Sequence, residues 1–217
     1  MNKDFEFKQL LRAYRSGIIT EATFESEMCS LENGAANGMR KIRFLDKTYN
    51  SEREAILDFL DKASAAEGVG ATGITKWVAV CKTECVKGGL RMVCEREAYH
   101  SRVFEQRLIE LGGSRKEGMN EEARKYIEYV SDPNMSDAAK LLRVTSIIPD
   151  PKKAVQPIFD FADQIKDDQQ TKEMLLLFGR DELSSATWLN EACALLNGKS
   201  AGKTTGKSTE ANPQASM

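Results

Sequence analysis

The chain has 217 residues, 41% of them hydrophobic and 29% charged, enough for one sizeable core with appendages. With 31 basic against 33 acidic residues the net charge is −2, which gives no electrostatic ground for expecting nucleic acid or an anionic membrane as partner. No stretch nears the roughly 20 apolar residues of a membrane helix, and MNKDFEFKQLLRAYRSG lacks a signal peptide's apolar run, so a cytoplasmic location is expected. Five cysteines, an odd number, argue against a disulfide framework. Proline is scarce while Ala, Leu, Glu and Lys abound, so the expected fold class is all-α.

Residues 3–32 read as a helical hairpin. Phe5, Leu10, Leu11 and Tyr14 form one apolar stripe, and Ser16-Gly17 ends it. Thr20 caps a second helix whose stripe is Phe24, Met28 and Leu31. Residues 33–50, with Asn33-Gly34-Ala35-Ala36-Asn37-Gly38, read as a linker. Ser51 followed by Glu54 is a capping box that opens the main body, residues 51–197.

The first long helix is expected to run to about Val80, the second from about Lys87 to Leu111. Gly88-Gly89 and Gly112-Gly113 read as helix punctuation. Two shorter helices follow over 120–132 and 136–148, then one over 152–165 after Pro149-Asp150-Pro151, and a long one over 169–197. Residues 198–217, rich in Gly, Ser, Thr and Lys, are expected to be a disordered tail.

On a 3-4 repeat each long helix carries an apolar stripe with a glutamate near its middle. The first runs Ile56, Leu60, Ala63, Glu67, Gly70, Ile74, Trp77. The second runs Leu90, Val93, Glu97, His100, Phe104, Leu108, and the last Leu175, Phe178, Glu182, Ser185, Leu189. Buried carboxylates are costly without a counter-charge or a proton, and three together repel unless something cationic lies between them. Glu97 and His100 share a helix face. Glu67 and Glu97 both lie 15 residues from position 82, where the chain should reverse, so an antiparallel hairpin brings them level. Either the group holds a metal ion, or Glu67 or Glu97 turns aside to pair with Arg53, Arg91 or Arg107.

The segments FLDKASAAEG, CEREAYHSRVFEQRLIELGG and TKEMLLLFGRDELSSATWL resemble the ferritin-like (rubrerythrin-like) superfamily across about residues 51–197. That resemblance implies a ferritin-like antiparallel four-helix bundle. It also implies metal ligands Glu67, Glu97, His100 and Glu182, with iron, or another divalent metal such as manganese, as cofactor. Two family positions depart: Ser185 stands where a fourth-helix histidine is expected, and the third helix offers no acid at about position 152. The stretch LLRAYRSGIITEATFESEMCSL resembles SHOCT-type hairpins.

The functional expectation is a metal-binding protein with a redox or oxygen-handling role, a di-iron or mono-metal oxidoreductase with a partly degenerate site. The alternative is a bundle that has lost its metal and serves as an interaction or structural protein. A protein partner docked through the N-terminal hairpin, or a homodimer, are the partner classes left open.

Overall fold

The computed structural model describes residues 3–33 and 41–198. These hold eight α-helices and one two-stranded hairpin, and they divide into two compact units, residues 1–55 and 56–217. No helix among the described residues is long and apolar enough to cross a membrane.

In the first unit, α1 (Lys3–Arg15) and α2 (Glu21–Asn33) pack on each other. Gly17 takes the left-handed conformation (φ 73) that lets the chain turn, and Thr20 Oγ1 accepts from the Thr23 amide at 3.2 Å as the cap of α2. Tyr14 and Phe24 stack with ring centroids 4.8 Å apart.

The stretch expected to be a linker differs: residues 34–40 lie outside the described residues, but 41–50 carry a β-hairpin. Strand β1 (Ile42–Phe44) pairs antiparallel with β2 (Lys47–Tyr49), Ile42 opposite Tyr49, and both of these residues are buried. Its two-residue loop places Leu45 at φ 52, the positive first-loop angle that fits the twist of a tight hairpin. Strands of three residues are too short to show a period of two, so nothing in the sequence pattern announced them.

Helix α3 (Glu52–Val80) begins as anticipated: the Glu54 amide donates to Ser51 Oγ at 3.1 Å, and Glu54 Oε2 accepts from the Asn50 amide. The chain reverses at Cys81–Thr83 and returns as α4 (Glu84–Glu110). Thr75 meets Cys94, Ser64 meets Ser101 and Phe59 meets Phe104, so the two helices run antiparallel about the expected turn.

Gly112 (φ 75) and Gly113 close α4: their amides donate to Ile109 O and Leu108 O, both at 2.8 Å, as in a Schellman motif. Gly88-Gly89 is a correction. Both residues lie inside α4, and a Cβ on Gly89 would collide with the Trp188 ring. The glycine is there for close packing, not to stop the helix.

Helices α5 (Glu121–Ser131), α6 (Asp137–Ile147) and α7 (Pro151–Gln164) precede α8 (Gln169–Leu196). Both α6 and α7 lie along α8: Asn190 Nδ2 donates to Ile148 O at 3.1 Å, and Gly179 faces the Phe159 ring. The place beside α8 is thus filled by two helices in line, broken at Ile148–Asp150. The proline after Asp150 fixes where the second can start.

The core has two halves. An aliphatic half centres on Ile74, Trp77, Leu90, Val93, Leu141 and Leu189. An aromatic half stacks Phe59, Phe104, Phe161 and Phe178 at centroid distances of 4.9–6.4 Å. The second unit is an all-α bundle, and the polar residues of interest lie between these halves. Of the tail expected over 198–217, residues 199–217 lie outside the described residues.

Candidate functional site

Three helices each bring one polar residue to the seam between the core halves: Glu67 from α3, His100 from α4 and Glu182 from α8. One ligand-type atom from each lies within 4.8 Å of the other two. His100 Nδ1 stands 3.3 Å from Glu67 Oε2 and 3.7 Å from Glu182 Oε1. His100 is 3% exposed and Glu67 8%, so two of the three have left solvent. The rings of Phe104 and Phe178 pack against the imidazole from below, at 6.2 and 4.9 Å.

Glu97 lies one helical turn before His100 but is not among the three convergent groups. Its carboxyl is hydrogen-bonded to that of Glu67 and rests against Gly70, where a Cβ would strike Oε2. Gly70, one turn beyond Glu67 on α3, is the notch that admits it.

The electrostatics are those of acids crowded in a dry place. Burial, then the charge of Glu182, pushes the Glu67 carboxyl up to about 9. Burial and the neighbouring Glu67 and Glu182 push Glu97 up to about 9 as well. Glu182 is raised by burial, opposed by His100 and Arg96. At neutral pH Glu67 and Glu97 therefore hold protons, and the shared hydrogen bond is the form in which two carboxyls tolerate contact. Glu182 Oε1 is different. It is buried and has no hydrogen-bond partner among the described residues. A buried carboxyl oxygen left bare costs on the order of 1–3 kcal/mol until a proton, a donor or a cation satisfies it.

Two further residues belong to this group although the sequence pattern did not single them out. Asp181 Oδ2 lies 3.2 Å from His100 Nε2, fixing the ring from the side opposite Glu67. Arg96 donates from Nη1 to Ser184 Oγ and Ser185 Oγ, both at 3.1 Å, beside Glu182. Asp181 is half-exposed and outside the buried stripe, so a search for interrupted stripes passes over it. Its adjacency to Glu182 was the available signal.

Of the arginines weighed as alternative partners for the acids, Arg107 is occupied by Asp168 at 2.8 Å and Glu110 at 3.0 Å, and Arg91 is exposed with no ion pair among the described residues. The missing third-helix acid stays missing. Ile148 and Phe159 face Asn190 and Gly179 and so bracket the level of Glu182, and the buried residue between them is Val155. Asp150, the lone acid in that interval, caps α7 by accepting from the Lys153 amide at 3.2 Å.

A cavity of about 230 Å³ between α4 and α8 reaches His100 and Asp181, walled by Val103, Met174, Leu177 and Phe178. The site thus joins an acid and imidazole group to an apolar entrance. The buried cluster of two glutamates and one histidine has donors suited to a divalent ion, but fewer than the ligand set of a di-iron centre. Comparisons of the chain with protein-family models, with curated proteins and with solved structures found no match.

Proposed function

We propose that the second unit is a ferritin-like bundle that binds one divalent metal ion, iron or manganese, through Glu67, His100 and Glu182, and serves a redox or oxygen-handling role. The observation that carries this reading is Glu182 Oε1, buried, bare, and turned toward the same point as His100 Nδ1 and Glu67 Oε2. One imidazole and two carboxylates form a donor set that suits these metals.

Asp181 accepts from the far side of His100 and so holds the ring with Nδ1 facing the carboxylates, the outer hydrogen bond that metal-bound histidines commonly make. Glu97 stays hydrogen-bonded to Glu67 and orients it. Arg96 supplies a fixed positive charge beside Glu182, on the side where the superfamily's second histidine would stand, which favours a single ion over a pair. A bound metal would supply one-electron chemistry toward oxygen or peroxide. The chain supplies a dry seat and the narrow apolar approach past Leu177 and Phe178.

A second reading rests on the proton shared by Glu67 and Glu97. If protons and Arg96 satisfy the acids permanently, the unit is a metal-free interaction or structural protein, with the SHOCT-like N-terminal hairpin as its docking element. Protein purified without chelators should carry close to one equivalent of iron or manganese, and added Fe(II) or Mn(II) should raise the Tm of stripped protein in a concentration-dependent way. Glu67→Gln should abolish both effects. Metal-free protein whose Tm ignores added iron and manganese leaves the second reading in possession.

A further inference from the structure

A second cavity, of about 650 Å³, lies among α3, α5 and α6, within the size range of small-molecule sites. Its apolar wall includes Ala65, Ala66, Val69 and Val144. Ala66 is exposed although it stands mid-way along a bundle helix, because this hollow lies over it.

One polar group at the cavity is unspent. The Tyr129 hydroxyl donates to Ala139 O at 3.1 Å, and the Tyr126 ring packs against Gly73 with its phenol pushed up to about 12 by burial and the nearby Glu97. The Arg143 guanidinium lies over the Tyr129 ring, 5.0 Å from its centroid, and pairs with no carboxylate among the described residues. The other cations at the cavity are already matched, Lys62 with Asp58 at 2.7 Å and Lys125 with Glu121 at 3.7 Å. The acids that also reach the lining, Glu117 and Glu122, lie at or before the start of α5. Glu122 is seven residues before Tyr129, about 10 Å along the helix. The hollow is thus apolar along its wall, with an uncompensated cation at the α6 side.

We propose that this cavity binds a small amphipathic anion, an apolar body bearing one carboxylate, with its head on Arg143 and its body along Val69 and Val144 beside Tyr126. Arg143 is already immobilised on an aromatic ring, so little side-chain freedom remains to be lost when it grips an anion. None of the three convergent ligands lines the hollow, so binding here can be measured on metal-free protein.

The test is calorimetric titration of the full chain with decanoate below its micellar range, beside decanol and decylamine. Saturable one-to-one binding of decanoate is expected, with decanol and decylamine weaker. Arg143→Gln, at an exposed position that does not endanger folding, should weaken decanoate by about tenfold through loss of a charge-assisted contact. Ala66→Phe should weaken binding by setting a ring across the apolar wall while leaving the far-UV circular dichroism unchanged. The proposal is overturned if decanoate fails to saturate, if Arg143→Gln binds it undiminished, or if decylamine binds as tightly. It is equally overturned if the protein takes up anionic vesicles but not monomeric decanoate.

Discussion

The bundle buries acids in two places, and it treats them in opposite ways. Asp137, 5% exposed, sits at the turn between α3 and α4 and accepts from Trp77 Nε1 at 2.9 Å, the Lys82 and Thr83 amides at 3.0 and 2.9 Å, and Thr83 Oγ1 at 2.7 Å. Burial pushes its carboxyl up, but these donors outweigh it and hold it below the usual range, ionised. Buried Lys140 stands nearby with its ammonium 6.0 Å from the Trp77 ring centroid. Burial lowers its pKa against the pull of Asp137. At the seam the balance inverts: Glu67 and Glu97 are raised, and Glu182 keeps a bare oxygen. A buried acid that ties a turn together is fully supplied with donors by the chain. The seam acids are not, and the shortfall marks the place for a ligand.

Removing each acid should separate the two cases. Asp137→Ala strands the Trp77 and two backbone donors and strips Lys140 of its counter-charge, so a loss of about 3–5 kcal/mol in urea unfolding is expected. Its metal content should follow the folded fraction only. Glu67→Gln should do the reverse: no metal bound, yet metal-free protein more stable than the parent at pH 8 by about 1–3 kcal/mol. Equal destabilisation by both substitutions would mean that the two sites hold their acids in the same way.

The pH dependence follows from the raised carboxyls. Glu67 and Glu97 titrate near 4.5 when unfolded and near 9 when folded. Between those values the unfolded chain has lost protons that the folded chain keeps. Metal-free protein should therefore lose stability as pH rises through this interval, the two carboxyls titrating as one coupled pair. Metal binding displaces those protons, so affinity for Mn(II) should increase over the same interval and the holo protein should lose less. A Tm of stripped protein that climbs through this interval contradicts the raised carboxyls.

Asp181→Asn should leave stability almost unchanged and reduce metal affinity about 10- to 100-fold, the usual effect of losing a carboxylate behind a metal-bound histidine. The smallest change is expected from Ser185→His. Arg96 already occupies that side of Glu182, so the added imidazole alone should bring no gain in metal affinity. A gain would show that Arg96 yields and that a second ligand position is open.

Much of this architecture was legible in the residues because it depends on local rules. Ser51 and Glu54, Thr20, and Gly112-Gly113 delimit helices through hydrogen bonds that reach no further than one turn. The chain reversal expected at about position 82 falls at Cys81–Thr83, and it is this reversal that brings Glu67 and Glu97 to nearly the same level of an antiparallel pair. The hairpin at Ile42–Tyr49 escaped because three-residue strands have no period to detect. Gly88-Gly89 was misread because its cause, the Trp188 ring, is 99 residues downstream of Gly89.

By itself the sequence determined the all-α class, many of the helix limits, and the three stripes whose glutamates had to be reckoned with together. Only the tertiary structure decided which atoms converge. Helix rotation and side-chain reach turned Glu97 onto Glu67 and Gly70, placed Asp181 behind His100, and drew Arg96 to Ser185. Stripe positions fix a face to within a wide arc of the helix, whereas a ligand or a hydrogen bond is settled over about an ångström. That finer choice is made by packing across helices, which no single helix encodes.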